Sequence, residues 1–273
     1  MPPQGALRPL PARGRPEWVS EFMKILVTFA VRSEFAPWKR RRSFLRLPGD
    51  SPVFEATFGG GARVRAVLTG MGEERAVESA KRALAYKPDI CISTGLAGAL
   101  RSGFKPGDIV AARLVSEAGE PVAVASHRDL LSTAVDCGAR QIERMATSRT
   151  LVARAAEKRQ LGSQAEAADM ESYTILVEAA RCGVPAEAVR AISDTVDFDV
   201  PYHFERALDA QGQVRTLAVV SQVLRKPAGL PALLKLARDC GFASRRLADF
   251  LDAYAGAMAD RLSPFEQDSV AAL

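Results

Sequence analysis

Histidine and cysteine are scarce in this chain, and their scarcity removes several kinds of chemistry at once. Among 273 residues there are two histidines, His127 and His203, and four cysteines, Cys91, Cys137, Cys182 and Cys240. The cysteines show no C-x-x-C spacing, so neither a zinc site nor a disulfide scaffold is indicated, and no metal ligand is assigned. Cys91 in an apolar strand and Cys182 at a helix end read as buried, reduced thiols. No apolar run approaches the roughly 20 residues that cross a bilayer. The G-x-G-x-x-G fingerprint is missing too. Thr69-Gly70-Met71-Gly72 holds two of its glycines, which argues against a dinucleotide-dependent enzyme. Aromatic residues make up 7% of the chain, and no RNA-binding aromatic signature accompanies the basic ones. A net charge of +5 and a pI of about 9.2 therefore suit anionic surroundings without indicating a nucleic-acid partner.

What remains is an ordinary globular composition, 48% hydrophobic and 25% charged, long enough for one large core. Residues 1–22 are rich in Pro and Arg, lack a signal-peptide core and read as a disordered leader, with Met23 a candidate start. Residues 23–262 read as one domain and 263–273 as a frayed tail. The run Lys24–Val31 suits a central parallel strand buried on both faces, and a helix opens at Arg32-Ser33-Glu34-Phe35. Trp38–Arg46 reads as a solvated helix face, or as a weak contact with an anionic membrane surface through Trp38, Phe44 and Leu45. Phe54–Phe58 and Val64–Leu68 form a hairpin around three glycines, and Glu73–Tyr86 a helix.

Asp89–Thr94 is a further buried strand. It delivers Gly95-Leu96-Ala97-Gly98, either a ligand-lining turn with free N–H groups or a tight packing turn. Strands follow at Ile109–Val115 and Pro121–Ala125, then a helix over His127–Cys137 capped by Ser126. Gln141–Arg149 is weakly patterned, and Thr150 caps a helix over Leu151–Gln160. A short strand ends at Asp169-Met170-Glu171-Ser172, where a helix running to Cys182 begins. Ala188–Ile192 is a strand running into Ser193-Asp194. An aromatic loop follows, holding Phe198, Tyr202, His203 and Phe204. Helices over Gln213–Leu224 and Leu233–Tyr254 complete the chain.

Taken singly, Glu34 and Glu171 read as helix-start charges, Met170 as core and Asp194 as a turn cap. Together, Glu34, Gly70, Gly95, Met170 with Glu171, and Asp194 all fall at strand carboxyl ends, where α/β proteins bind ligands. The stretches Ile25–Glu34, Val67–Gly72, Pro88–Val110, Ala168–Ser172 and Val189–Asp194 resemble, in order and spacing, the nucleoside phosphorylase superfamily on its methylthioadenosine/S-adenosylhomocysteine nucleosidase branch. The DMES wording at Asp169–Ser172 and the segment Ala207–Ala237 are closest to the hopanoid-associated phosphorylases.

The resemblance implies a three-layer α/β/α domain around a mixed, mostly parallel twisted sheet. It implies cleavage of the bond between ribose and the purine of an adenosine-type nucleoside, adenosylhopane being one candidate and methylthioadenosine another. Asp194 matches the acid that protonates the leaving base, and Glu34 the nucleosidases' water-activating carboxylate. Glu171 matches the residue that binds the ribose hydroxyls, and Met170 the one packed on the ribose face. Gly95, Ser193 and Phe198 complete the expected substrate contacts. No cofactor is implied; inorganic phosphate is the alternative co-substrate to water, with Arg32 and Arg190 its positional candidates. Leu96 stands where the nucleosidases carry Ser, and the segment before Ala165 departs from their base-stacking pattern. The expected reaction is hydrolysis by a cytoplasmic homodimer. A non-catalytic nucleoside-binding protein is the competing reading, and it has no need of an acid and a base together.

Overall fold

A computed structural model of the chain describes residues 23–49, 52–70, 73–201 and 229–261. The leader, the helix expected over Gln213–Leu224, the end of the aromatic loop with Tyr202, His203 and Phe204, and the tail lie outside these residues.

Apolar runs at the start of the chain become the centre of the sheet. Strand β1 (Lys24–Phe29) lies between the parallel strands β4 (Arg63–Leu68) and β5 (Ile90–Ala99). Its side chains alternate between two cores, Ile25, Val27 and Phe29 on one face and Leu26 on the other. Beyond β4 come the antiparallel strands β3 (Val53–Thr57) and β2 (Leu45–Arg46), with the three glycines turning between β3 and β4 as expected.

On the other side of β5 the sheet closes on itself. β5 pairs in parallel with β10 (Ala186–Asp194), β10 pairs antiparallel with β6 (Ile109–Glu117), and β6 runs parallel to β8 (Arg140–Thr147). β8 pairs in parallel with β9 (Ala167–Asp169), which returns antiparallel to the end of β5. β7 (Ala123–Ala125) hangs on β6. Parallel and antiparallel pairings thus share the sheet, with the parallel ones concentrated around β1 and β5.

Helices cover both faces, giving the expected three layers. One core holds α1 (Arg32–Arg41), α3 (Arg128–Asp136) and α6 (Leu230–Arg261); the other holds α2 (Glu73–Leu84) and α5 (Ser172–Arg181). The basic run on α1 differs from its sequence reading. Trp38 and Phe44 are buried in a cluster with Phe29, Phe35, Phe54 and Phe58, ring centroids 5.0–6.1 Å apart. Burying these rings outweighs leaving them at a lipid or water surface, and of the three apolar residues only Leu45 is exposed. Arg41 and Arg42 pair with Asp249 and Asp252, and Trp38 Nε1 donates to Asp252 at 3.3 Å, which fastens α1 to α6.

Three local expectations change for identifiable reasons. The Gly95–Gly98 stretch is strand rather than turn, because β10 keeps pairing alongside it as far as Asp194 opposite Gly98. Gln141–Arg149 is mostly β8 (Arg140–Thr147), whose polar residues come in the adjacent pairs Arg140-Gln141 and Glu143-Arg144 and so leave no period-two signal. The helix expected from Leu151 begins only at Ala155, as α4 (Ala155–Leu161), and Asp199 Oδ1 rather than Thr150 accepts its first N–H, at 2.7 Å. Ser126 does not cap α3; its buried hydroxyl makes no hydrogen bond among the described residues. No described helix is long and apolar enough to cross a membrane.

Candidate active site

The ends of β1, β5, β9 and β10 meet α4 and α6 around a cavity of about 290 Å³. Glu34, Met170, Glu171, Ser193 and Asp194 all line it. Glu171 and Asp194 do not come from neighbouring strands, because β5 runs between β9 and β10. They flank that strand instead.

Glu34 is the clearest case of a residue whose surroundings differ from its pattern. It sits in the first turn of α1 yet is 8% exposed. Its Oε2 accepts the backbone N–H groups of Ala30 and Val31, each at 3.2 Å, and its Oε1 accepts that of Leu96 at 2.9 Å. Burial pushes its carboxyl above the ordinary value; the Leu96 N–H, the charge of Arg190 and the other two N–H groups pull against that. Gly95 explains the close approach. It has φ +145°, and a Cβ there would lie 2.9 Å from Glu34 Oε1. Gly95 therefore does not line the cavity; it makes room for Glu34, and the next N–H goes to that carboxylate rather than to a ligand. Gly98 does the same for Asp194, whose Oδ2 would lie 3.2 Å from an added Cβ.

Asp194 ends β10, 9% exposed. Ser193 Oγ lies 2.5 Å from its Oδ1. Its Oδ2 is paired with Lys158, a fully buried lysine on α4 that also donates to the carbonyls of Thr195 at 3.1 Å and Phe198 at 2.8 Å. Phe198 thus contributes its carbonyl to Lys158; its ring does not line the cavity and lies under Lys235 Nζ at 4.9 Å.

A second buried pair supports the floor. Arg190 donates from Nε to Asp169 Oδ2 at 2.8 Å and from Nη2 to Ser93 and Ser172 at 3.2 and 2.9 Å. Asp169 also accepts from Thr147 Oγ1 at 2.7 Å and from the Ser172 N–H, the first of α5, at 3.0 Å. Arg190 Nη1 is buried with no hydrogen bond among the described residues, and the charges of Glu34 and Glu171 both bear on this guanidinium. Arg32, by contrast, is exposed on the far side of the α1 start and faces a separate surface cavity with Lys39, Arg40 and Arg46.

Several lining residues escape a reading of sequence pattern. Lys158 left a trace: it sits three residues from both Ala155 and Leu161, interrupting the inward stripe of α4. Leu151 and Val152 form an aliphatic wall in extended chain before that helix, and Cys240 comes from α6, far away in sequence. Burial first, then the negative charges of Asp194, Glu34 and Asp239, push the Cys240 thiol up to about 12, so it is no thiolate nucleophile at neutral pH. Among the described residues no group of three or more His, Cys, Asp or Glu could hold a metal ion.

Residues 24–225 match the model of a family described as the phosphorylase superfamily. Several solved structures are similar. A 5′-methylthioadenosine/S-adenosyl homocysteine nucleosidase from Helicobacter pylori is 16% identical, covers 86% of this chain and 99% of its own, and has a TM-score of 0.68. The futalosine hydrolase of Helicobacter pylori is 16% identical, with 85% and 97% covered and a TM-score of 0.67. The corresponding 5′-methylthioadenosine/S-adenosylhomocysteine nucleosidase from S. pneumoniae is 19% identical, with 86% and 100% covered and a TM-score of 0.66. No curated protein sequence matches the chain. At these identities the likeness to solved structures is one of fold.

Proposed function

The chain belongs to the phosphorylase superfamily, and on that premise we propose that it cleaves the N-glycosidic bond of an adenosine-type nucleoside and releases the purine. The observation that carries this reading is the placement of two carboxyl groups in contrasting surroundings on one cavity. Glu34 is held by three backbone N–H groups, Asp194 by a lysine and a serine. Such a pair divides base and acid work between its members. As the bond to the purine lengthens, the ribose becomes cationic and the base gathers negative charge. Asp194 protonates the base. Glu34 takes a proton from the attacking water. Glu171 holds the ribose hydroxyls and offsets the positive sugar, with Met170 against its face.

Water is favoured over phosphate by the charge of the lining. Glu34, Asp169, Glu171 and Asp194 all face the cavity, against two cations, Lys158 on its lining and Arg190 in the floor, which are ion-paired with Asp194 and Asp169, so carboxyl groups are in excess. A phosphate dianion would enter against that field. An apolar 5′ substituent, as in adenosylhopane, is the finer reading, supported by the aliphatic wall of Leu100, Leu151 and Val152.

Adenine release is to be measured from adenosine, methylthioadenosine and adenosylhopane, each with and without phosphate. The expected result is release that phosphate does not accelerate, with free ribose or its 5′-substituted form as the other product. Asp194→Asn lowers the rate ~10²–10⁴-fold, the usual contribution of a positioned acid. Tight nucleoside binding without adenine release would sink the enzymatic reading.

A further inference from the structure

The acid has an unexpected companion. To protonate a purine, Asp194 must carry a proton, yet it is the carboxylate partner of a buried ammonium. Lys158 spends three N–H bonds on Asp194 Oδ2, the Thr195 carbonyl and the Phe198 carbonyl. Its side chain is 1% exposed and that of Asp194 11%. Burying a lysine this fully is costly unless its charge is used or neutralised. A structural ion pair at this place would hold the acid in the form that cannot donate.

We propose that Lys158 is a positioning residue that stores the proton Asp194 delivers. The proposal rests on Asp194 being the acid for purine departure. In the free protein the pair is ionic, ammonium and carboxylate. An arriving purine covers the last exposed part of Asp194, and removing water from a buried pair erodes its preference for the charged form. One proton then moves from Lys158 Nζ to Asp194 Oδ2, leaving an amine and a carboxylic acid. Oδ2 is the oxygen nearer the space that a side chain at Gly98, a residue of the cavity wall, would fill, so the oxygen that receives the proton stands at that wall.

When the glycosidic bond breaks, its electron pair goes to the purine, and Oδ2 gives the proton to the purine's imidazole nitrogen. Water bonds to the ribose carbon and loses a proton to Glu34. Adenine leaves neutral, Glu34 returns its proton to solvent, and solvent recharges Lys158. The sum is nucleoside plus water giving sugar plus adenine, with no net change in the protein. Ser193 serves both states of the acid. Its single hydroxyl hydrogen can point to Asp194 Oδ1 at 2.5 Å or to the Ala97 carbonyl at 3.2 Å. The backbone carbonyls of Thr195 and Phe198 hold the amine in line throughout.

The test compares two leaving groups on the full-length protein. Adenosine needs its base protonated; 4-nitrophenyl riboside releases a phenolate that does not. Wild type, Lys158→Met and Lys158→Arg are assayed on both, with unfolding midpoints recorded. For Lys158→Met the expected result is a ~10²–10³-fold loss of kcat on the purine nucleoside with KM changed less than fivefold. The ratio of purine to riboside turnover falls at least 30-fold, and Lys158→Arg, whose guanidinium keeps the charge but does not give up its proton, regains none of it; a ratio restored by Arg would overturn the proton-storing role. Equal losses on both substrates would reduce Lys158 to a structural role and overturn the proposal. So would purine turnover within fivefold of wild type. If the wild-type protein releases no adenine from any purine nucleoside, the functional reading itself has failed, an outcome distinct from either of these.

Discussion

Replacing Glu187 with Gln should make the protein more stable as the pH rises. Glu187 lies on β10 with no exposed surface, packed between the sheet and α6. Burial pushes its carboxyl up to about 8, against a smaller opposing pull from the Tyr254 hydroxyl. The hydrogen bonds agree with a neutral acid. Tyr254 Oη contacts both Glu187 Oε2 and the Leu130 carbonyl, the latter at 3.0 Å, and a phenol has one hydrogen. A protonated Glu187 donates to Tyr254, which donates to Leu130, and the chain is complete. Glu187 Oε1 has no partner among the described residues, which an ionised carboxylate tolerates poorly.

The sign follows from linkage. A folded pKa of about 8, raised from an ordinary value of 4.5, gives stability that is fully present below 4.5 and lost as the pH climbs to 8. Each pH unit inside that window costs about 1.4 kcal/mol, so wild type loses roughly 3–4 kcal/mol between pH 5 and pH 8 from this one group. Glu187→Gln keeps the shape and removes the titration. Urea unfolding of both proteins at half-unit steps from pH 5 to 8 gives the comparison. Other titrating groups cancel in the difference. The expected difference grows in the variant's favour by about 1 kcal/mol per pH unit. A difference that stays constant within 0.3 kcal/mol per unit, on the order of the error of such extrapolations, would refute the buried neutral acid.

Two further perturbations test the site and its frame. Since Glu34 must be ionised to take a proton from water and burial raises its pKa, the acid limb of kcat/KM should lie above the usual Glu value of about 4.3. Glu34→Gln should cost ~10²-fold or more in kcat; a pH–rate profile with its acid limb at or below 4.3 would contradict the role. Gly162 ends α4, and a Cβ there would fall far inside contact with the Leu100 carbonyl oxygen, backbone that cannot rotate away. Gly162→Ala should cost about 1–3 kcal/mol in urea unfolding and, by shifting the helix that carries Lys158, lower turnover as well; unchanged stability would show that α4 moves freely.

The chain's pattern was enough to place most elements. Lys24–Val31 read as a buried strand from its apolar run, Val64–Leu68 from its period-two alternation and Ala188–Ile192 as a short buried strand, and each overlaps an observed strand, β1, β4 and β10. The order and spacing of Glu34, Met170, Glu171 and Asp194 likewise carried their convergence, and the resemblance gave each an expected role. Local pattern failed where a residue's environment comes from elsewhere. Glu34 looked like a helix-start surface charge, but it is a buried carboxyl that accepts the N–H of Leu96, 62 residues away, besides those of Ala30 and Val31. Gly95 and Gly98 looked like a turn, but their lack of side chains serves two carboxylates that cross the strand. Lys158 drew no reading of its own within the helix expected over Leu151–Gln160, because the partners that hold it lie 36 to 40 residues further on. The sequence by itself determined most of the strands and helices and which carboxyl groups stand at strand ends, since periodicity is a local property. Only the tertiary structure decided how those groups are charged and what they touch, because desolvation and hydrogen-bond partners are set by segments that the chain order keeps apart.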